Sequence, residues 1–110
     1  MNTALAMEYI PRRMLDLGYG NEYYIRFVQL SLQPGEIRLL NATSEFFILL
    51  EEPENISVDS DMGIYDPNLP NVNEMQYEHQ GVITITNQSP KLNTVQFIQV
   101  VPKENNRTWK

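Results

Sequence analysis

The sequence contains no cysteine and a single histidine, His79, and these shortages exclude several kinds of active site. Without cysteine the chain has neither a disulfide framework nor a thiolate metal site, which favours synthesis in a reducing cytoplasm. One histidine without a cysteine partner or an evident activated serine does not make a catalytic triad. We therefore expect a protein that is not an enzyme and that needs no metal or other cofactor.

Basic residues are scarce before the C-terminus, where Lys91 is the only lysine ahead of residue 103. The formal net charge is −6; residues 1–21 are neutral and residues 102–110 carry +2, which leaves −8 on the middle of the chain. An acidic body repels nucleic acid and acidic membrane surfaces. The sequence also has no glycine-rich loop to bind phosphate. The composition therefore predicts partners that are proteins, without nucleic acid or membrane.

Residues 1–21 are predicted to form an extended N-terminal arm. Residues 4–10 have the composition of one or two helical turns, but Pro11 is expected to end any helix there. Glu8 interrupts the apolar part and no basic residue precedes it, so neither a secretion signal nor a membrane span is predicted. The apolar side chains of the arm need a cover, whereas the body, residues 22–102, is expected to fold without the arm.

The clearest β signal lies between Gly81 and Pro102. Residues 82–87 alternate, with Ile83 and Ile85 on one face and threonines on the other, whereas residues 94–101 are apolar on both faces. A polar loop separates the two segments. The pattern predicts an antiparallel hairpin whose second strand contacts protein on both sides.

Residues 22–33 are the longest strand candidate. Their apolar residues occupy odd positions up to Phe27 and even positions from Val28 onward. Such a switch indicates a β-bulge or a strand that bends from one sheet to another. The Pro34-Gly35 corner that follows has type II turn chemistry, which fits hairpin twist poorly and favours a crossing connection.

Two more strands are predicted on either side of a turn at residues 41–44. In residues 36–40, Ile37 and Leu39 are expected to point inward. Residues 45–51 are apolar on both faces, as in a central strand or in one whose outer face is covered by the arm or by a second subunit. Together the strands predict an all-antiparallel β-sandwich or jelly roll of about six to eight strands. A short polar C-terminal tail, residues 103–110, follows the body.

A long polar loop is predicted at residues 59–76, after a short strand marked by Ile56 and Val58. Its aspartates superficially suggest a calcium loop, but Met62 stands where the third oxygen ligand should precede Gly63, so a solvated acidic loop is expected. Four Asn-x-Ser/Thr triplets are interpreted as turn chemistry rather than glycan acceptors, because no signal peptide is predicted. These triplets begin at Asn41, Asn55, Asn87 and Asn106.

Four stretches carry a resemblance to a family: Leu30-Ser31-Leu32-Gln33-Pro34-Gly35-Glu36, Ser57-Val58-Asp59-Ser60, the Gly63 turn, and Gly81-Val82-Ile83-Thr84-Ile85-Thr86-Asn87. Together they resemble small β-sandwich virion structural proteins of tailed bacteriophages, in which a Pro-Gly corner, a long polar loop and a late I-x-I-x-N strand recur. The resemblance implies a head-decoration, auxiliary capsid or fibre-base subunit located in the virion. It implies no catalytic residues.

The functional prediction is a non-enzymatic structural protein that docks onto neighbouring virion proteins, such as the major capsid protein or head-fibre subunits, as a homo-oligomer or in repeated copies. The alternative is a stand-alone carbohydrate-type binding module, with Tyr65, Tyr77 or Trp109 as a stacking platform. The partner-binding residues predicted for the first hypothesis are Tyr9, Ile10, Leu15, Leu17, Phe46, Tyr65 and Trp109.

Overall fold

The computed structural model describes residues 1–69 and 75–103. That part of the chain contains one helix followed by six strands: α1 (Thr3–Asp16), β1 (Tyr23–Leu32), β2 (Ile37–Leu50), β3 (Ile56–Ser60), β4 (Gly63–Tyr65), β5 (Glu78–Asn87) and β6 (Asn93–Pro102). All strand pairs are antiparallel, and the strands form one sheet in the order β1-β6-β2-β5-β3-β4. The predicted antiparallel, mainly β class is confirmed, with a helix added to it.

Helix α1 occupies the segment for which an extended arm was predicted. Asn2 caps its N-terminus, where the side-chain oxygen accepts a backbone N–H at 2.8 Å. Pro11 lies inside the helix and removes one backbone hydrogen bond, a change that usually costs about 3 kcal/mol. Ala6, Ile10 and Met14 recur every four residues and are buried against the sheet. The prediction that Pro11 ends the helix was wrong because this burial, which offsets the missing bond, depends on the tertiary fold.

Each face of the sheet carries its own hydrophobic cluster. The inner core contains Leu32, Ala42, Phe47, Leu49, Ile56, Val58, Tyr65, Ile83, Ile85, Val95 and Phe97. The outer core lies between α1 and the sheet and contains Ala6, Ile10, Met14, Phe46, Ile48, Leu50, Ile98 and Val100. Strands β1 and β3 lie far apart in the strand order yet both contribute to the inner core, so the sheet curves around it.

Strands β5 and β6 do not form the predicted hairpin. Strand β2 lies between them, because its fourteen residues are enough to pair with both neighbours. Ile37–Ala42 pair with β5, a register shift follows between Ala42 and Phe47, and Phe46–Leu50 pair with β6. The prediction that the second segment is apolar on both faces for contact with protein is confirmed, since Phe97 enters the inner core and Ile98 the outer core.

The change of face within β1 is present, but it occurs without the β-bulge that was one of its two predicted causes. Strand β1 pairs with β6 in an unbroken register from Tyr23 to Leu32, without a bulge. Ile25 packs against the outer core, whereas Val28 packs against the inner core. The switch arises because the two ends of one regular strand are covered on opposite faces of the sheet.

The segment predicted as one long loop begins with a small hairpin. Strands β3 and β4 pair through Val58–Tyr65, Asp59–Ile64 and Ser60–Gly63. Gly63 has φ 133°, a backbone conformation that favours glycine, at the first residue after the turn. The short strand predicted at Ile56 and Val58 is confirmed.

Candidate interaction surface

Helix α1 covers only part of the outer face of the sheet. It packs on β2 and β6 through Phe46, Ile48 and Ile98. Beyond the register shift in β2, the same face continues over the first half of β2 and over β5, β3 and β4. We call this uncovered part the open face; its exposed apolar residues are Ile37, Leu39, Ile64 and Val82.

The four apolar residues of the open face belong to neighbouring rows of the sheet. Leu39 lies opposite Thr84 on β5, Thr84 lies opposite Asp59 on β3, and Asp59 lies opposite Ile64 on β4. Ile37 and Val82 lie in the rows on either side of this one. The exposed fractions are 62% for Ile37, 63% for Leu39, 52% for Val82 and 38% for Ile64. Apolar side chains gathered on one sheet face are typical of a surface that contacts another molecule.

Ile37 and Leu39 were predicted to point inward, and that prediction was wrong. Ala42 and Leu40 point toward the inner core instead. The two predicted strands, at residues 36–40 and 45–51, are one strand interrupted by the irregular pairing around residues 43–46. Alternation shows which residues share a face but not which face is covered, because that depends on the neighbouring strands. The sequence held one other signal of the open face. On β5, Val82 and the threonines lie on the side opposite Ile83 and Ile85.

Three of the residues predicted to bind a partner are buried inside the chain. Ile10 and Phe46 are 2% and 3% exposed, and both belong to the outer core. Tyr65 is 2% exposed and its hydroxyl donates to the carbonyl of Pro53 at 3.1 Å. Burial raises the pKa of Tyr65 to about 12, with neighbouring acidic groups adding to the effect. These three residues are corrected from contact residues to residues of the chain's own cores.

The remaining predicted contact residues have different surroundings. Leu15 and Leu17 are exposed at the C-terminal end of α1, at 69% and 44%. Tyr9 is half-buried and its hydroxyl donates a hydrogen bond to the carboxylate of Glu78. Burial, together with the hydrogen bond to Glu78, raises the pKa of Tyr9 to about 12. Trp109 and nearly all of the C-terminal tail lie outside the described residues.

The single histidine forms a pair with a serine that sequence reasoning did not find. His79 Nδ1 lies 2.7 Å from Ser60 Oγ, and His79 Nε2 lies 2.9 Å from the carbonyl oxygen of Gln76. A carbonyl only accepts, so Nε2 carries the proton and Nδ1 accepts the serine hydroxyl. Burial lowers the pKa of His79, and nearby Asp59 and Glu78 partly oppose this shift. The ring is 0% exposed, which closes it to a substrate, so the pair fixes β3 to β5.

The acidic residues near β3 and β4 have structural partners. Asp66 Oδ1 accepts the backbone N–H of Asn68 at 3.0 Å, and Asp61 lies against Gly81. Within residues 1–69 and 75–103, no group of three or more histidine, aspartate or glutamate side chains is arranged to hold a metal ion. In the same ranges no helix has the length and apolar character needed to cross a membrane.

Comparisons with known proteins do not extend this description. No family model, curated protein or solved structure matches the chain.

Proposed function

We propose that this protein is a non-enzymatic structural subunit of a virion, of the auxiliary or decoration type, that works by docking onto neighbouring subunits. The open face is the observation that supports this proposal. Leu39 and Ile37 are each more than half exposed on a sheet face whose other half packs against α1. A regular sheet gives such a surface a rigid shape, as docking between subunits requires. The virion setting comes from the sequence resemblance.

The partner surface that fits the open face carries apolar side chains together with basic ones. Asp59 lies within the open face, and Asp61 is exposed at the turn beside it. The whole chain carries a net charge of −6. Opposite charge on a neighbouring subunit steers the two surfaces together, while burial of the apolar residues supplies most of the affinity.

We further propose that the curved sheet is the β-sandwich or jelly-roll core of this class of subunit. Strands β1 and β5, which are not neighbours in the sheet, contact each other beside the turn between β1 and β2. The side-chain amide of Asn87, on β5, donates to the carbonyl of Leu32, on β1, at 3.1 Å. Two wings of one sheet that share a core have the layering of a sandwich.

The carbohydrate-binding alternative has little support among the described residues. Its stacking platforms were to be exposed aromatic rings, but Tyr65 is buried and Tyr77 packs against it with ring centroids 5.7 Å apart. The buried ring of Tyr65 offers no free face for a sugar, and the half-buried ring of Tyr77 has one side occupied by Tyr65. The third candidate platform, Trp109, lies outside the described residues.

Incorporation into particles tests the proposal. Virions are purified from a source that encodes the chain, and mass spectrometry tests whether they contain the protein. Variants are then supplied by complementation, and the amount of each variant in the particles is measured. Leu39→Lys places a charge in the open face and is expected to reduce incorporation at least tenfold. Leu92→Lys, at a residue 58% exposed outside that face, is the matched control and is expected to incorporate normally. Absence of the protein from particles, or equal incorporation of both variants, would overturn the proposal.

A further inference from the structure

Strand β1 is a long edge of the sheet that carries few of the features that usually protect an edge. It has ten residues and, in the part of the chain that the structure describes, pairs only with β6. It contains no proline and no bulge, and Arg26 is its only charged residue. The opposite edge, β4, has three residues and is protected by its shortness. Unprotected edges of this length pair with a strand of another chain.

We infer that β1 pairs antiparallel with β1 of a second copy of this chain, so that two sheets join into one. This inference deepens the proposed function by naming one partner, and it rests on that function only for the assembly in which the pair is used. The two-fold axis is normal to the sheet. Each strand then provides backbone donors and acceptors to the other.

The contacts within the chain limit where the axis can lie. At the end of β1, the carbonyl of Ser31 accepts a hydrogen bond from Arg38 at 3.2 Å, and the carbonyl of Leu32 accepts one from Asn87 at 3.1 Å. At the start of β1, the backbone N–H of Tyr23 donates to the carbonyl of Asn21 at 2.9 Å. These contacts leave residues 24–30 as the free part of the edge. Side chains of β1 alternate between the two faces of the sheet without a bulge. Residues that lie opposite each other in the two copies therefore share a face only when the two-fold axis passes between the same residue of each copy. The middle of the free part therefore offers Arg26 or Phe27 as the centre.

Charge and packing favour Phe27 as the centre. An axis through Arg26 would place two guanidinium groups opposite each other, which destabilises a strand pair. An axis through Phe27 places Arg26 opposite Val28 of the second copy and pairs the two Phe27 rings, each 63% exposed. Tyr24, 46% exposed, then lies opposite Leu30 of the second copy, a half-buried residue at the margin of the inner core. Both exposed aromatic residues of β1 thus gain apolar neighbours through a single symmetric arrangement.

The pair is expected to be concentration-dependent. Pairing of a single strand belongs at the lower end of interface sizes, below the roughly 1,600 Å² of a standard interface. The two copies each carry a net charge of −6 and repel one another, so added salt should strengthen the pairing. An interface formed mainly by opposite charges would respond to salt in the other direction.

Sedimentation equilibrium of the full chain tests the inference at concentrations up to about 1 mM, where weak pairs with millimolar dissociation constants become visible. The native chain is expected to dimerise, and Phe27→Lys to weaken the dimer at least tenfold. Leu39→Lys changes a residue with the same 63% exposure on the open face and is expected to leave the dimer intact. An equimolar mixture of Phe27→Lys and Phe27→Glu chains should recover it, since opposite charges then meet at the axis.

Each contrary result overturns the inference without removing the proposed function. A native chain that stays monomeric at every concentration excludes self-pairing, while docking through the open face is still decided by particle incorporation. A dimer that is lost in Leu39→Lys but kept in Phe27→Lys places the contact on the open face. Failure of the oppositely charged mixture to dimerise rules out Phe27 as the centre. Circular dichroism of each variant confirms that the sheet is folded, since Phe27 is largely exposed and its replacement leaves both cores unchanged.

Discussion

Arg13 and Glu78 form a bidentate ion pair that joins helix α1 to strand β5. Arg13 Nε lies 3.0 Å from Glu78 Oε1, and Arg13 Nη2 lies 3.1 Å from Glu78 Oε2. The Glu78 side chain is only 5% exposed, and Tyr9 donates to the same carboxylate. The pair positions the helix over the sheet because a buried carboxylate needs its donors.

Arg13→Met is expected to lower the free energy of unfolding by about 1–3 kcal/mol, because it leaves the Glu78 carboxylate without its main donors while keeping the length of the side chain. Urea titration followed by circular dichroism measures this change. Arg12→Met is the matched control, since Arg12 is exposed on the same helix, and its effect should stay within about 0.5 kcal/mol. Equal effects of the two variants would show that the ion pair does not stabilise the fold.

Ile10→Ala is expected to cost about 2–5 kcal/mol of unfolding free energy, because it opens a cavity between α1 and the sheet. Leu15→Ala on the exposed side of the same helix should change stability by less than about 0.5 kcal/mol. Thermal unfolding of both variants makes the comparison. If Ile10→Ala were as mild as Leu15→Ala, the packing of α1 on the sheet would be wrong.

Deletion of residues 1–20 is expected to produce an aggregating or unfolded chain, contrary to the sequence-based expectation that the body folds alone. The deletion would expose Phe46, Ile48 and Ile98, all now at most 3% exposed. Size-exclusion chromatography and circular dichroism report the result. A soluble monomer with the native melting temperature would restore the interpretation of this segment as a dispensable arm.

Stability is expected to fall in mild acid because of His79. The folded state lowers the pKa of this buried ring below its ordinary 6.5, mainly through desolvation, so the unfolded chain binds the proton more readily. The contribution of neutral His79 to the free energy of unfolding is fully present above pH 6.5 and is lost as the pH falls through the folded-state pKa. His79→Gln should show a flatter pH dependence in this window, measured by urea titration at several pH values. An identical slope in the native protein and the variant would exclude His79 as the cause.

Asn87 is expected to be sensitive to loss of its amide. Its Nδ2 lies 3.1, 3.0 and 2.9 Å from the carbonyl oxygens of Leu32, Gln33 and Lys91, so its two N–H groups are shared among three acceptors. Asn87→Asp would place one carboxylate oxygen against three carbonyl oxygens, and we expect it to cost several kcal/mol, more than the roughly 1–3 kcal/mol of a single lost partner. Asn41→Asp, at an exposed position, serves as the control. Similar melting temperatures for the two variants would contradict the role assigned to Asn87.

The sequence by itself determined the antiparallel β class and the positions of most strands, because alternation of apolar residues is a local property. It also placed Phe97 and Ile98 on opposite covered faces, as the structure confirms. The change of face at Phe27 was visible in the same way. Asn87 was interpreted as a turn residue rather than a glycan acceptor, and its side chain is buried.

Only the tertiary structure decided which strands are neighbours and which faces stay uncovered. Strand β2 separates β5 from β6, and nothing in the local pattern of either strand records this insertion. Ile37 and Leu39 alternate with polar residues as core residues do, yet both are exposed because α1 does not extend over their part of the sheet. Helix α1 continues through Pro11 because the sheet buries its apolar side. Pairing order and burial depend on contacts between residues distant in the chain, so the open face and the free edge of β1 follow from the assembled sheet.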